Sequence, residues 1–139
     1  MPRYWGEHSG DEYPHQGITQ AIIEAAIRVQ KTLGPGLLED AYKTCLTHAL
    51  RGSGHKALRE VRLDIVWEGL TVESAYKMDL VVDDKVVVEA KTVEKLVDAH
   101  FAQINTQLRF SGLEVGLLLN FRAWPLREGG IRRVVHTRG

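Results

Sequence analysis

The chain has 139 residues, of which 44% are hydrophobic and 26% are charged, values that are ordinary for one globular domain with its own core. Its 18 basic and 18 acidic residues give a formal net charge of zero, which excludes a strong overall attraction to nucleic acid. Any binding of phosphate groups must therefore depend on local clusters of charge.

The start of the sequence is polar and contains several turn-forming residues, so we expect a loosely ordered arm at 1–16 followed by one domain at 17–139. This arm lacks the hydrophobic centre of a secretory signal, and no segment is long and apolar enough to span a membrane. The single cysteine, Cys45, cannot form an internal disulfide, and its place in an apolar stripe favours a buried structural thiol. These features predict a cytoplasmic protein without membrane contact.

Two helices are predicted in the first part of the domain. Apolar residues recur at helical spacing over 18–33, and Gly34-Pro35-Gly36 follows as a stop signal. A similar pattern covers 38–50 and is broken at Gly52-Ser53-Gly54. Each helix is expected to bury one stripe of side chains.

Alternating residues predict three antiparallel strands in the middle of the chain. The first covers 60–67 and ends at the turn Glu68-Gly69. The second covers 70–82 and leads into Asp83-Asp84-Lys85, whose residue types tolerate tight loops. The third, 86–91, would then fold back on the second as a hairpin.

The turn also predicts the register of this hairpin. If the chain folds about Asp84, Asp79 faces Glu89 and Lys77 faces Lys91 on one face. The other face is apolar and pairs Val82 with Val86, Leu80 with Val88 and Met78 with Ala90. Two carboxylates directly opposite each other lie roughly 4.5–5.5 Å apart at Cβ and destabilise the pair unless a positive charge lies between them.

A divalent cation between these carboxylates would give the hairpin a catalytic function. Mg²⁺ prefers carboxylate and carbonyl oxygens, retains waters, polarises phosphate and lowers the pKa of a bound water. Asp79, Glu89 and the Ala90 carbonyl could hold such an ion. Lys91, two residues along the same face from Glu89, could orient the attacking water or neutralise developing charge. Alternatively, Lys77 and Lys91 form a solvated ladder of weak salt bridges with the two carboxylates.

The last third of the chain predicts a helix and two strands. Thr92 can cap a helix that ends near Ser111-Gly112 and has an apolar stripe of Leu96, Val97, Phe101, Ile104 and Leu108. The unbroken apolar run at 115–121 is typical of a buried strand, interior or parallel in its sheet, and 131–136 form a weaker strand. The order of elements indicates an α/β domain with a mixed sheet and helices packed on it.

Arginines are concentrated after Asn120, where Glu128 is the single acid. They are Arg122, Arg127, Arg132, Arg133 and Arg138. Such a cluster can contact a phosphate backbone, and a homodimer could combine two copies into one basic groove. The alternative is a basic strand edge that discourages aggregation.

Two short segments resemble a known family. Gly36-Leu-Leu-Glu39-Asp-Ala-Tyr42 matches the signature of the GxxExxY proteins, and Glu89-Ala-Lys91 is also similar to that family, with a resemblance over about 18–134. These proteins are grouped with the PD-(D/E)xK nuclease-like superfamily, whose core is αβββαβ and whose motif places Asp on one strand and Glu-x-Lys on the next. The resemblance therefore implies a single-domain, restriction-endonuclease-like α/β fold, and the element order agrees with it.

The resemblance also implies site residues. Asp79, Glu89 and Lys91 would form the superfamily site, and Glu39 would be a helix carboxylate that joins the metal shell. Gln103 matches a glutamine that many exonuclease-like relatives place near the site.

Each flanking helix also allows an alternative interpretation. From the residues alone, Glu39 would pair with Lys43 at i+4 on the helix surface. Gln103 would lie in a polar stripe beside the core and brace the sheet. The chain also departs from its relatives, because Gln107 stands where they often carry tyrosine.

Two hypotheses of different classes follow. The first is a Mg²⁺- or Mn²⁺-dependent nuclease that hydrolyses phosphodiester bonds in DNA or RNA, and the second is a non-catalytic module that binds nucleic acid or a protein partner on the same fold. The nuclease hypothesis assigns Asp79, Glu89, Ala90 and Glu39 to the metal, Lys91 to water orientation and charge stabilisation, and Gln103 to support. Zero net charge and small size favour the second hypothesis.

Overall fold

The computed structural model describes residues 2–4 and 14–136, which form a six-stranded sheet with helices on both faces. The helices are α1 (Gln16–Leu33), α2 (Glu39–Gly52) and α3 (Asp98–Ser111). The strands are β1 (Pro2–Tyr4), β2 (Ala57–Trp67), β3 (Leu70–Val82), β4 (Val86–Lys91), β5 (Val115–Asn120) and β6 (Ile131–His136). No helix in the described part of the chain combines the length and apolar character needed to cross a membrane.

The sheet has the order β1-β6-β5-β4-β3-β2. Strands β4 and β5 are parallel and are joined through α3, whereas all other neighbours are antiparallel. Helix α2, strands β2 to β4, helix α3 and strand β5 follow the αβββαβ order, and α1 precedes them. This mixed sheet with flanking helices confirms the predicted fold class.

The predicted N-terminal arm lies largely outside the described residues. Residue 1 and residues 5–13 are not described, while Pro2–Tyr4 pairs with the end of β6 and α1 begins at Gln16. Arg138 of the predicted arginine cluster is also outside the described range.

Two apolar clusters cover the two faces of the sheet. One lies beneath α1 and α2, and the other lies beneath α3. Strand β5 contributes to both, because Leu117 and Leu119 pack in the first cluster and Leu118 packs in the second. Burial on both faces is the physical reason for its unbroken apolar run, as predicted.

The β3–β4 hairpin has the register that its turn predicts as far as Leu80 and Val88, whereas the predicted pairs Asp79–Glu89, Met78–Ala90 and Lys77–Lys91 lie beyond the paired residues. Asp83 and Asp84 have φ values of 53° and 55°, which a tight type I′ turn requires, and the Lys85 N–H donates to the Val82 carbonyl at 3.0 Å. The paired residues are Leu80 with Val88, Val81 with Val87 and Val82 with Val86.

The prediction that Met78 lies on the same face of the sheet as Leu80 and Val82 is wrong. It packs in the α3-side cluster with Val81, whereas Leu80 packs in the cluster beneath α1 and α2. The side chains of β3 should point alternately to the two faces of the sheet, but this alternation is shifted by one residue at Asp79. Opposite this point, Glu60 of β2 has a φ of 52°, so the backbone of the neighbouring strand is irregular as well.

The predicted start of the helix at Thr92 is also wrong, because α3 begins at Asp98. The Asn120 side chain at the end of β5 accepts a hydrogen bond from the Val93 N–H at 3.1 Å and donates one to the Val93 carbonyl at 2.9 Å. These contacts use both backbone groups of Val93 outside a helix. The predicted end at Ser111 is confirmed.

Candidate active site

The candidate site lies where β3 and β4 separate. Their paired register ends at Leu80 and Val88, so Asp79 and Glu89 flank a gap between the strands. The Ala90 N–H donates to Asp79 Oδ2 at 3.2 Å, and the Asp79 N–H donates to the Glu89 carboxylate. Since the N–H and C=O of one strand residue point to the same edge, the Ala90 carbonyl also faces the gap.

A cavity of about 500 Å³ opens at this gap. Strands β3 and β4 supply one wall, and α2 and α3 approach from opposite faces of the sheet. The lining residues are Glu39, Lys43, Tyr76, Lys77, Asp79, Glu89, Lys91, Gln103, Thr106 and Gln107. The structure thus brings the side chains of five sequence-predicted site residues to one cavity, Glu39, Asp79, Glu89, Lys91 and Gln103, whereas the Ala90 side chain packs in the core beneath α1 and α2.

Lys43 connects α2 to the β3 carboxylate. Its Nζ lies 3.4 Å from Asp79 Oδ1 and 3.5 Å from Glu39 Oε2. Burial alone would lower the pKa of Lys43, but the charges of Asp79 and Glu39 outweigh this effect and raise it above its ordinary value. The predicted i+4 pair with Glu39 is present, and it is one half of a bridge that reaches the candidate site.

Lys91 makes the corresponding connection to α3. Its Nζ lies 3.4 Å from Glu89 Oε2 and donates to Gln103 Oε1 at 2.8 Å. Lys91 and Glu89 are two residues apart and therefore project from the same face of β4. Gln103 holds the ammonium group beside the carboxylate.

Glu89 is almost fully buried and carries an unfavourable charge. Burial raises its pKa, and the charge of Asp79 raises it further. Gln107 Nε2 donates to Glu89 Oε1 at 2.9 Å, and this bond, the charge of Lys91 and the Asp79 N–H offset the shift only in part. A further positive charge at this position would stabilise the ionised carboxylate.

Two buried oxygen atoms beside the carboxylates have no hydrogen-bond partner among the described residues. They are Gln107 Oε1 and the Tyr76 hydroxyl, and both residues line the cavity. Burial also raises the pKa of Tyr76. Buried polar atoms are nearly always satisfied in native proteins, so these two atoms are available to a ligand or to its bound waters.

The donor set fits a hard divalent cation. Mg²⁺ is commonly held by one or two carboxylates while it retains several waters, and Asp79, Glu89 and the Ala90 carbonyl offer such oxygens. Within residues 2–4 and 14–136, no three His, Cys, Asp or Glu side chains cluster closely enough to hold a metal. Glu39 lies beyond Lys43 rather than beside the other two carboxylates.

Sequence reasoning missed two residues of the site. The sequence predicts Lys43 as a partner of Glu39, and Gln107 as a member of the polar stripe of Gln103 and a departure from the family. Both lie four residues from a predicted site residue on the same helix, Lys43 from Glu39 and Gln107 from Gln103. The i+4 spacing on one helix face was the signal that could have found them.

The predicted arginine cluster is not a single exposed patch. Arg133 is fully buried, and its guanidinium donates to the Thr19 hydroxyl at 3.2 Å and to the Pro14 carbonyl. Its interpretation as a phosphate contact is therefore wrong, because this arginine attaches β6 to the start of α1. Arg122 and Arg127 are exposed.

The fold and this cavity together define a nuclease-like α/β domain, with an Asp on β3 and a Glu-x-Lys on β4 at the end of their shared ladder. The family model of the PD-(D/E)XK nuclease superfamily matches residues 16–134, which is most of the chain. The chain belongs to the PD-(D/E)XK nuclease superfamily. Searches of curated proteins and of solved structures found no match.

Proposed function

We propose that the protein is a Mg²⁺- or Mn²⁺-dependent nuclease of the GxxExxY group that hydrolyses phosphodiester bonds in DNA or RNA. One observation carries the proposal: Asp79, Glu89 and Lys91 line a single cavity where two strands separate. Membership in the superfamily supports a nucleic-acid substrate, since phosphodiester hydrolysis is the chemistry for which this arrangement is suited.

Asp79 and Glu89 would hold the metal together with the Ala90 carbonyl. When bound, the ion would polarise a phosphate oxygen and lower the pKa of a coordinated water. Gln107 orients Glu89 through a hydrogen bond of 2.9 Å, and the Ala90 N–H fixes one oxygen of Asp79. These contacts hold both carboxylates in place before a substrate arrives.

Lys91 would orient the attacking water and stabilise negative charge on the phosphate. Its ammonium is held by Gln103 at 2.8 Å, so it does not depend on Glu89 alone for its position. A fixed positive charge at the place where negative charge develops lowers the barrier more than a mobile one.

The contacts of Tyr42, the tyrosine of the signature, support the narrower assignment to the GxxExxY group. Tyr42 is fully buried, its ring stacks on Phe121 with 4.6 Å between centroids, and its hydroxyl donates to the Gly34 carbonyl. The same hydroxyl accepts from the Leu37 N–H at 3.0 Å. These contacts close the α1–α2 loop and fix the first turn of α2, which carries Glu39 towards the cavity.

The test is hydrolysis of end-labelled DNA and RNA, single- and double-stranded, by purified protein with Mg²⁺ or Mn²⁺. Lys91→Ala is expected to abolish cleavage while near-UV circular dichroism stays unchanged. Lys56→Ala is the matched control, because this lysine pairs with Asp84 outside the cavity. Equal cleavage by Lys91→Ala and wild type would show that the activity does not come from this site.

The second candidate function is a binding module, and the tip of the β2–β3 hairpin favours it. Val66, Trp67 and Leu70 are 69%, 64% and 60% exposed, which is unusual for large apolar side chains that lie together. A protein partner or a second copy of the chain would cover them. If calorimetry detects no binding of Mg²⁺ or Mn²⁺ at millimolar concentration, and these ions do not change the melting temperature of the protein, the binding module is the function that remains. Light scattering would detect a homodimer.

A further inference from the structure

The ammonium group of Lys43 has a fixed place in the cavity. It is held between carboxylates from two elements, Asp79 of β3 and Glu39 of α2, at 3.4 and 3.5 Å. The side chain is only 13% exposed, so the ammonium is a fixed part of the cavity wall rather than a mobile surface charge.

The charges in the cavity favour one divalent ion. Glu39, Asp79 and Glu89 provide three carboxylates, and the ammonium groups of Lys43 and Lys91 lie against them. Lys77 also lines the cavity but pairs with Glu60, so one of these negative charges remains uncompensated. One divalent ion would reverse the sign of the site and attract a phosphate, whereas a second ion would meet the ammonium of Lys43 at the Asp79 carboxylate.

One of the two unpartnered oxygens in the cavity belongs to Gln107, beside Glu89. Gln107 is 2% exposed, its Nε2 is bonded to Glu89, and its Oε1 has no partner among the described residues. A buried acceptor without a donor indicates a place for a ligand group that the protein does not supply itself. The carboxylates of Asp79 and Glu39 are thus bridged by Lys43, whereas Gln107 beside Glu89 lacks a donor among the described residues.

We propose that Lys43 replaces a second divalent cation, so that the chain binds a single ion at the Asp79–Glu89 end of the cavity. This inference rests on the proposed metal-dependent function. Removal of the Lys43 charge would leave Glu39 and Asp79 uncompensated and open a second position for a hard cation between them.

The test counts bound Mn²⁺ per chain from the loss of the free-ion signal in electron paramagnetic resonance, without any nucleic acid. Wild type is expected to bind one ion and Lys43→Met two. Lys43→Arg keeps the charge and is expected to bind one. Lys77→Met is the matched control, because Lys77 lines the same cavity but pairs with Glu60, and it is expected to bind one ion.

Two further variants make the result specific. Lys43→Gln repeats the measurement with a side chain that stays polar, should Lys43→Met fail to fold. Adding Glu39→Gln to Lys43→Met is expected to return the count from two to one, because the second ion loses one of its two carboxylates.

The outcomes separate the two proposals. An unchanged count in both Lys43→Met and Lys43→Gln, with one ion in wild type, overturns the role of Lys43 and leaves the metal site intact. Two ions in wild type also overturn it. No bound ion in wild type overturns the proposed function itself, and the inference about Lys43 with it.

Discussion

The hydroxyl of Tyr42 offers the sharpest test of how the helices are positioned around the site. Tyr42→Phe removes one oxygen atom and leaves the stacked ring and its volume in place. The Gly34 carbonyl loses a donor and the Leu37 N–H loses an acceptor. Within residues 2–4 and 14–136, these are the two hydrogen bonds of the hydroxyl.

The expected magnitude follows from these two bonds. A hydrogen bond contributes about 0.5–1.5 kcal/mol to stability, so losing two lowers the free energy of unfolding by about 1–3 kcal/mol. For a domain of this size, each kcal/mol corresponds to roughly 3–5 °C, and the melting temperature is expected to fall by roughly 3–15 °C. Both groups lie in a loop with partial access to water, which places the expected value towards the lower end of the range.

The assay is denaturant unfolding of wild type, Tyr42→Phe and Tyr42→Ala. Tyr42→Ala also removes the stack on Phe121 and opens a cavity, so it is expected to cost about 3–5 kcal/mol. Hydrogen exchange gives a local readout, because the Leu37 amide should exchange faster in Tyr42→Phe. Metal binding per folded molecule should stay unchanged, since Tyr42 does not line the cavity.

An unfolding free energy for Tyr42→Phe within about 0.5 kcal/mol of wild type, the usual range for surface substitutions, would refute this reasoning. Tyr42 would then contribute to the protein in some way other than by closing the α1–α2 loop. A loss of metal binding without a loss of stability would point to a direct role at the site.

Two further predictions concern the ends of β4. Burial alone would raise the pKa of Asp83, but hydrogen bonds from His55 and a backbone N–H, with the charge of His55, lower it below 3.8. The ionised form of Asp83 therefore stabilises the fold above that pH. Wild type should be more stable than Asp83→Asn, and this difference in the free energy of unfolding should shrink as the pH falls through the lowered pKa. Urea unfolding at several pH values measures the difference, and a constant value would contradict the prediction. Asn120→Ala removes the amide contacts to Val93 and should cost about 2–4 kcal/mol in guanidinium unfolding. Asn120→Asp should cost at least as much at neutral pH, because its second oxygen would oppose the Val93 carbonyl in a buried position; a smaller loss would contradict this.

The parts of the fold that local chemistry determines were predictable from the sequence. The register of the β3–β4 hairpin follows from a turn whose residues, Asp83 and Asp84, accept positive φ, and from the alternation beside it. The buried character of β5 follows from its unbroken apolar run. In both cases the information lies within a few neighbouring residues.

The errors arose where distant residues decide the local structure. Thr92 is a residue type that often begins a helix, but the side chain of Asn120 at the end of β5 forms hydrogen bonds with the N–H and the carbonyl of Val93, so that neither group can take part in a helix. Lys43 could be placed near Glu39 on its helix, but its contact with Asp79, 36 positions away, required the packing of α2 on the sheet. Gln107 could be placed near Gln103 on its helix, but its bond to Glu89 required the packing of α3 on the sheet.

The wrongly predicted face of Met78 bears directly on the site. With regular alternation, Asp79 would lie on the same face as Val81 and Val87, beneath α3. The change of phase instead lets its carboxylate contact Lys43 of α2 with one oxygen and the Ala90 N–H with the other, while Glu89 contacts Gln107 of α3. The two carboxylates are thus supported by helices on opposite faces and still share one cavity. A local irregularity that weakens the strand pairing is what allows both layers of the fold to contribute to a single site.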